Sequence, residues 1–126
     1  MTDDAIHEIV THTLDDRVVV ELRGEIDQSN TESIERRLHA GADGILLVVD
    51  LRPTTYFDSA GVAMLHRVRQ QRPLALMVEP DSIVRRVLEI TALDQLVPIL
   101  RSATDPVPTG AREPTAPGPL GSAEPG

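Results

Sequence analysis

The chain has 126 residues, 40% of them hydrophobic and only 2% aromatic, so one domain with an aliphatic core is expected. The formal net charge of -8 argues against nucleic acid, whose phosphates such a chain repels, and all 12 basic residues are arginine. The absence of cysteine excludes disulfides, thiol catalysis and Cys-bound zinc.

The longest apolar runs, Ile45–Val49 and Leu74–Val78, are five residues each, far short of the roughly 20 that span a bilayer. Membrane insertion is therefore not expected. The start, Met1-Thr2-Asp3-Asp4, is acidic and shows no apolar signal segment, so the expected location is the cytoplasm.

Taken in order, Ile6–Thr13 alternates moderately and Val18–Gly24 opens on three valines and continues Glu21-Leu22-Arg23, with Leu14-Asp15-Asp16-Arg17 between them. The pattern predicts two strands joined by a hairpin with a short acidic turn. Gly24-Glu25-Ile26-Asp27 closes the second strand. Gln28-Ser29-Asn30-Thr31 then caps a helix, with Ser29 or Asn30 at the N-cap. That helix runs to about Ala40, sets Ile34, Leu38 and Ala42 on one face, and is stopped by Gly41 and Gly44.

The stretch Ile45–Leu51 reads as a strand buried on both faces. It empties into a loop, Arg52 to Phe57, and Asp58-Ser59 opens a second helix reaching about Gln71, with Val62, Leu65 and Val68 or Arg69 on its stripe. Unpaired N–H groups at such a helix start favour anions. Leu74–Val78 is a further buried strand. A third helix starts at Pro80-Asp81-Ser82 and continues through Ile83, Val84, Val87, Leu88 and Ile90. Val97–Leu100 forms a short last strand, which Pro98 marks as an edge.

The resulting order, β-β-α-β-α-β-α-β, predicts an α/β domain with a mixed sheet of about five strands, opened by a hairpin and packed against helices. The domain spans residues 1–101. Residues 102–126 hold six of the 10 prolines and four of the 8 glycines, and such a segment buries too little surface to offset its ordering entropy. A disordered tail is expected there.

Little in the chain points to catalysis. His7, His12, His39 and His66 are scattered without metal-ligand spacing, and no metal site or cofactor is expected. Ser59 lacks the surroundings of a hydrolase nucleophile and serves more simply as the cap of the second helix. Glu25 and Asp27 share one side of a strand, as an acidic patch or as a solvated strand end. Neither a P-loop nor a G-x-G-x-x-G motif is present. The chain is not expected to be an enzyme.

Three stretches resemble a family: Gly24-Glu25-Ile26-Asp27, then Val48-Val49-Asp50-Leu51 leading to Tyr56-Phe57-Asp58-Ser59-Ala60-Gly61-Val62, and finally Val87–Leu93. They resemble the STAS domain of anti-sigma-factor antagonists over roughly residues 6 to 101. The resemblance implies a bacterial regulator of transcription that binds an anti-sigma factor, itself a serine-kinase-like ATPase, and so releases a sigma factor. It also implies a phospho-acceptor in an Asp-Ser-Ser/Thr-Gly pattern at the start of the second helix. That acceptor position falls on Ala60, which has no hydroxyl.

Three consequences stand open: an antagonist that this reaction cannot switch off, phosphate taken by Ser59 or by Thr54 or Thr55, or a STAS subunit that binds the ATPase of a phospholipid-transporting ABC system. The implied partner face comprises Asp27, Ser29, Asn30, Thr55, Tyr56, Asp58, Ser59, Ala60 and Gly61. Tyr56 is its expected anchor and Phe57 is expected in the core.

Overall fold

Two aliphatic runs, Val18–Val20 and Leu46–Val49, lie side by side as parallel strands and set the frame of the molecule. The computed structural model describes residues 6–39 and 44–107. In chain order the elements are β1 (Ile6–Thr13), β2 (Arg17–Ile26), α1 (Thr31–His39), β3 (Leu46–Asp50), β4 (Thr54–Phe57) and α2 (Ser59–Arg69). There follow β5 (Leu74–Met77), α3 (Ile83–Ile90), a 3-10 turn (Leu93–Gln95) and β6 (Ile99–Leu100). No helix among the described residues is long and apolar enough to cross a membrane.

The sheet order is β1-β2-β3-β5-β6, with β4 paired to β2 off this path. Among the described residues only the opening β1–β2 hairpin is antiparallel, with Leu14 N–H donating to the Arg17 carbonyl (2.8 Å) across its acidic turn. Helices connect the later strands, and those pairs are parallel, as crossovers of that length require. The mixed sheet with its opening hairpin is as the sequence predicts, but it has six strands rather than about five.

The additional strand is β4, in the stretch expected to be a loop. Both Asp50 carboxylate oxygens are engaged by Arg52: one accepts its backbone N–H (3.0 Å) and Nε (3.0 Å), the other its Nη2 (2.9 Å). This folds the chain back after β3, and Thr54 N–H then bonds to the Leu51 carbonyl (3.0 Å). β4 leaves the turn beside the far end of β2, pairing Gly24 with Thr54, Glu25 with Tyr56 and Ile26 with Phe57. One long strand therefore carries two consecutive parallel partners. The change of partner falls at Gly24, whose φ of 110° is open to glycine at little cost.

Successive residues of each strand face opposite ways, and the buried residues sort accordingly. Leu47, Val49, Leu74 and Leu76 join Ile34 and Leu38 of α1, Met64, Leu65 and Val68 of α2, and Val84 and Leu88 of α3 in one cluster. Val19, Leu46, Val48, Ala75, Met77 and Leu100 form a second. The three α-helices among the described residues thus cover one face of the sheet. On α1 the expected stripe holds at Ile34 and Leu38, while Ala40, Gly41 and Ala42 lie outside the described residues. On α2 the inward residues are Gly61, Met64, Leu65 and Val68, so Val62 is half-buried at the margin.

Arginines tie the layers together. Buried Arg72 donates to the carbonyls of Leu38 (3.0 Å) and Ile45 (2.8 Å), linking the last turn of α1 to the entry of β3. The Leu38 carbonyl, in the last turn of α1, has no partner within the helix itself. Arg67 of α2 pairs with Glu35 of α1 (2.7 Å).

Two outcomes test this account. Thr54→Val removes a buried hydroxyl that donates to the Leu22 carbonyl (2.8 Å), and urea unfolding is expected to show a loss of about 1 kcal/mol. The Arg67 hydrogen bond holds the Glu35 carboxyl below its ordinary value of 4.5. The resulting stabilisation is present above that value and fades as pH falls through the lower folded-state value. The stability gap between the native chain and Glu35→Gln, measured against pH, is expected to close only on that acid limb.

Candidate functional site

Parallel pairing of β2 with β4 places the two strand ends next to each other, and each end feeds a helix. Asp27–Asn30 leads from β2 into α1, and Asp58 leads from β4 into α2. Helices α1 and α2 pack together behind them. The two segments expected to share a face, 27–30 and 55–61, are thereby brought together by backbone pairing.

Each segment is locally braced. Asp27 makes a turn on itself: its Oδ1 accepts from the Ser29 N–H (2.9 Å) and hydroxyl, and its carbonyl accepts from Asn30 and Thr31 N–H. Asn30 occupies the N-cap position, its carbonyl accepting from Ile34 N–H (3.0 Å). Its side chain turns backwards instead of capping, accepting from Asp27 N–H (3.0 Å) and donating to the Glu25 carbonyl (2.8 Å). Glu25 itself is exposed, so the Glu25/Asp27 pair divides into a solvated strand end and a turn former.

At the second segment the expected cap is corrected. Asp58, in extended conformation, is the N-cap of α2, and its Oδ1 accepts from Ala60 N–H (2.9 Å). Ser59 is the first helical residue, exposed, and its hydroxyl makes no hydrogen bond among the described residues. Aspartate is among the strongest N-caps because its carboxylate both accepts the orphan N–H and complements the helix dipole. The same carboxylate puts negative charge where an anion was expected to bind. The start of α2 is therefore not an open anion site.

Tyr56 and Phe57 separate as alternation along β4 requires. Tyr56 is 45% exposed and Phe57 3%. The Phe57 ring lies against Gly61, so closely that a Cβ on residue 61 would stand 2.5 Å from the ring Cε1. This explains the glycine of Asp58-Ser59-Ala60-Gly61 by packing: the first turn of α2 rests on the ring. Of the three hydroxyls in reach of the reading above, those of Ser59 and Thr55 belong to exposed residues, whereas Thr54 is buried and its hydroxyl is bonded to Leu22.

The family model described as "Mlab, STAS domain" matches residues 9–98. The chain belongs to the STAS domain family. Among solved structures, an anti-sigma factor antagonist from Mycobacterium paratuberculosis is 24% identical with a TM-score of 0.67, over 76% of this chain and 86% of that one. The anti-sigma factor antagonist SpoIIAA in its unphosphorylated form is 21% identical with a TM-score of 0.58, over 74% and 88%. An anti-sigma-factor antagonist (STAS) domain protein from Planctomyces limnophilus is 17% identical with a TM-score of 0.57, over 75% and 90%. At these identities the structural likeness concerns the fold. No curated protein is matched by the sequence.

The sequence reading of the STAS domain missed one feature near this face. Helix α3, which packs beside β4, turns Val84 and Leu88 inward and leaves Ile83 63% and Ile90 76% exposed. With Leu96 they are large apolar side chains in solvent. The high apolar content of α3 was the available signal. It did not say which stripe faced out.

Gly61→Ala is expected to destabilise the STAS domain by about 1–3 kcal/mol, since ring and helix must part to admit the methyl group. The loss should shrink in a Phe57→Leu background, which a double-mutant cycle from urea titrations would measure.

Proposed function

We propose that this STAS domain is a non-enzymatic, cofactor-free interaction module of the cytoplasm that acts as an anti-sigma-factor antagonist. It binds an anti-sigma factor of the serine-kinase-like ATPase type and so frees a sigma factor to direct transcription. The partner face comprises the Asp27–Asn30 turn, Thr55 and Tyr56 of β4, and Asp58 to Gly61 at the start of α2. The observation that carries this reading is the exposed Tyr56 beside a helix start that is braced by Asp58 and has no hydroxyl at residue 60. An aromatic ring at a surface is a favoured anchor in protein interfaces. Domain boundaries follow the same reading, with the folded module over 1–101 and the Pro/Gly-rich remainder outside it. Ala103 and Val107, just beyond it, pack against the module.

Ala60 gives the module its regulatory character. A phosphate adds roughly -1.5 to -2 charges to a contact surface and breaks it by repulsion and desolvation. With alanine at the family's acceptor position, the antagonist is not switched off there. Ser59 is the neighbouring exposed hydroxyl that can take phosphate in its place.

A second reading keeps the face and changes the partner to the ATPase of a phospholipid-transporting ABC system. Ala60 favours it, since a subunit that does not depend on phosphorylation has no need of an acceptor.

The test is a pull-down from native extract with partners identified by mass and the bait examined for phosphate. Recovery of a kinase-like anti-sigma factor with unmodified bait is the expected result, and Tyr56→Ala should weaken that complex roughly tenfold or more by calorimetry. Phosphate on Ser59 moves the switch by one residue. An ABC ATPase in place of the kinase overturns the first reading in favour of the second.

A further inference from the structure

One face of the sheet lies under the helices, and on the other Ala103 and Val107 pack against the cluster of Val19, Leu46, Val48 and Met77. Arg17, only 6% exposed, ties that second segment down. Its Nη1 donates to the carbonyls of Ala103 (3.1 Å) and Asp105 (2.7 Å), while Nε and Nη2 bind the Asp16 carboxylate. The sheet is left open at an edge.

That edge is β1, and the hairpin fixes which of its groups point outward. Leu14 N–H donates to the Arg17 carbonyl (2.8 Å), so these two residues form a hydrogen-bonded pair. Bonded and non-bonded pairs alternate along an antiparallel ladder. Counting back along the register, Thr13–Val18, Thr11–Val20 and Ile9–Leu22 are the non-bonded pairs. Thr13, Thr11 and Ile9 therefore turn their N–H and C=O groups away from β2. Among the described residues no other strand pairs with β1, and Thr11, His12 and Thr13 are exposed.

Open edges are usually blunted by proline, lysine, a bulge or a very short strand. The opposite end of the sheet follows this rule: β6 is cut to 2 residues and comes directly after Pro98. β1 does not. From Glu8 to Thr13 it holds no proline and no lysine, and its register is regular, the irregularity falling between Ile6 and Glu8. Ile9 and Val10 are half-buried at this margin, and β-branched residues of their kind pair well across strands.

We propose that two copies of this chain join antiparallel through their β1 edges, with Thr11 on the two-fold axis, so that one sheet runs through both. The edge is complementary to itself in this register. Thr11 meets Thr11 of the second copy and Ile9 meets Thr13, so the outward N–H and C=O groups of all three residues are bonded. Moving the pairing by two residues either way leaves Thr13 opposite the irregular start of β1, or Ile9 opposite the acidic turn. On the alternate positions Val10 meets His12 and Glu8 meets Leu14, so no like charges stand opposite each other. β2 lies between β1 and β4, so this contact is separate from the partner face above, and either can fail without the other.

The chain has no cysteine, so a single introduced thiol reports the register cleanly. Light scattering of the full chain over a dilution series is expected to give twice the mass of one chain at its upper end. Thr11→Lys sets two like charges on the axis and leaves the hairpin's own hydrogen bonds in place. It is expected to halve that mass while far-UV circular dichroism stays native. Thr11→Cys is expected to form a disulfide-linked dimer on mild oxidation, since Cα atoms about 5.5 Å apart in a bonded pair suit that bridge. Val10→Cys, whose mate is His12, is expected to stay largely uncrosslinked. A native chain that remains monomeric overturns the proposal, as does a dimer that Thr11→Lys leaves intact. If Thr11→Lys does not fold, the cysteine variants decide: cross-linking of Val10→Cys in preference to Thr11→Cys overturns the pairing.

Discussion

Everything in this domain depends on β2 having two parallel partners in succession. Its first half pairs with β3 and its second half with β4, and the Asp50–Arg52 clamp supplies the turn that makes the exchange. Were β3 simply to continue, the start of α2 would not arrive beside the end of β2. The exchange places two helix entrances side by side and leaves the side chains of one short strand, β4, at the boundary between core and solvent. Phe57 takes the inner side and Tyr56 the outer.

The start of α2 shows how few groups are needed to make such a surface definite. Asp58 fixes the backbone of Ala60, Phe57 fixes the approach of Gly61, and Thr54 pins β4 to the Leu22 carbonyl. Each brace draws on a different kind of force: a charge-assisted cap, a steric contact and a buried hydrogen bond. These braces hold the backbone of β4 and of the first turn of α2, so little backbone freedom remains there to be lost on binding.

Much of this was legible in the sequence because it is local. The hairpin with its acidic turn, the buried Ile45–Leu51 run and the Asp-Ser-Ala-Gly helix start all have short-range signatures. What escaped was set at long range. Thr54–Phe57 follows a proline and is only four residues long, so alone it reads as loop. It becomes a strand through pairing with residues 24–26. Helix α3 carries Ile83, Val84, Val87, Leu88 and Ile90, and only the position of the sheet decides that Val84 and Leu88 are buried, Val87 packs half-buried at the margin, and Ile83 and Ile90 face out. The cap on α2 was assigned to Ser59 when Asp58 takes it, a shift of one residue between two good capping types. Ala103 and Val107 sit in a Pro/Gly-rich stretch whose average hides them, and a few small apolar residues sufficed there because a prepared face awaited them.

The Arg17–Asp105 contact joins residues 88 positions apart, nearly the full span of the fold. A loop of that length carries a large closure cost, which contacts made in between must first reduce. In a chain emerging from a ribosome, Arg17 is made early and its carbonyl partners late. The guanidinium has only Asp16 and water as partners while every later strand and helix is made, and its two carbonyl contacts come last.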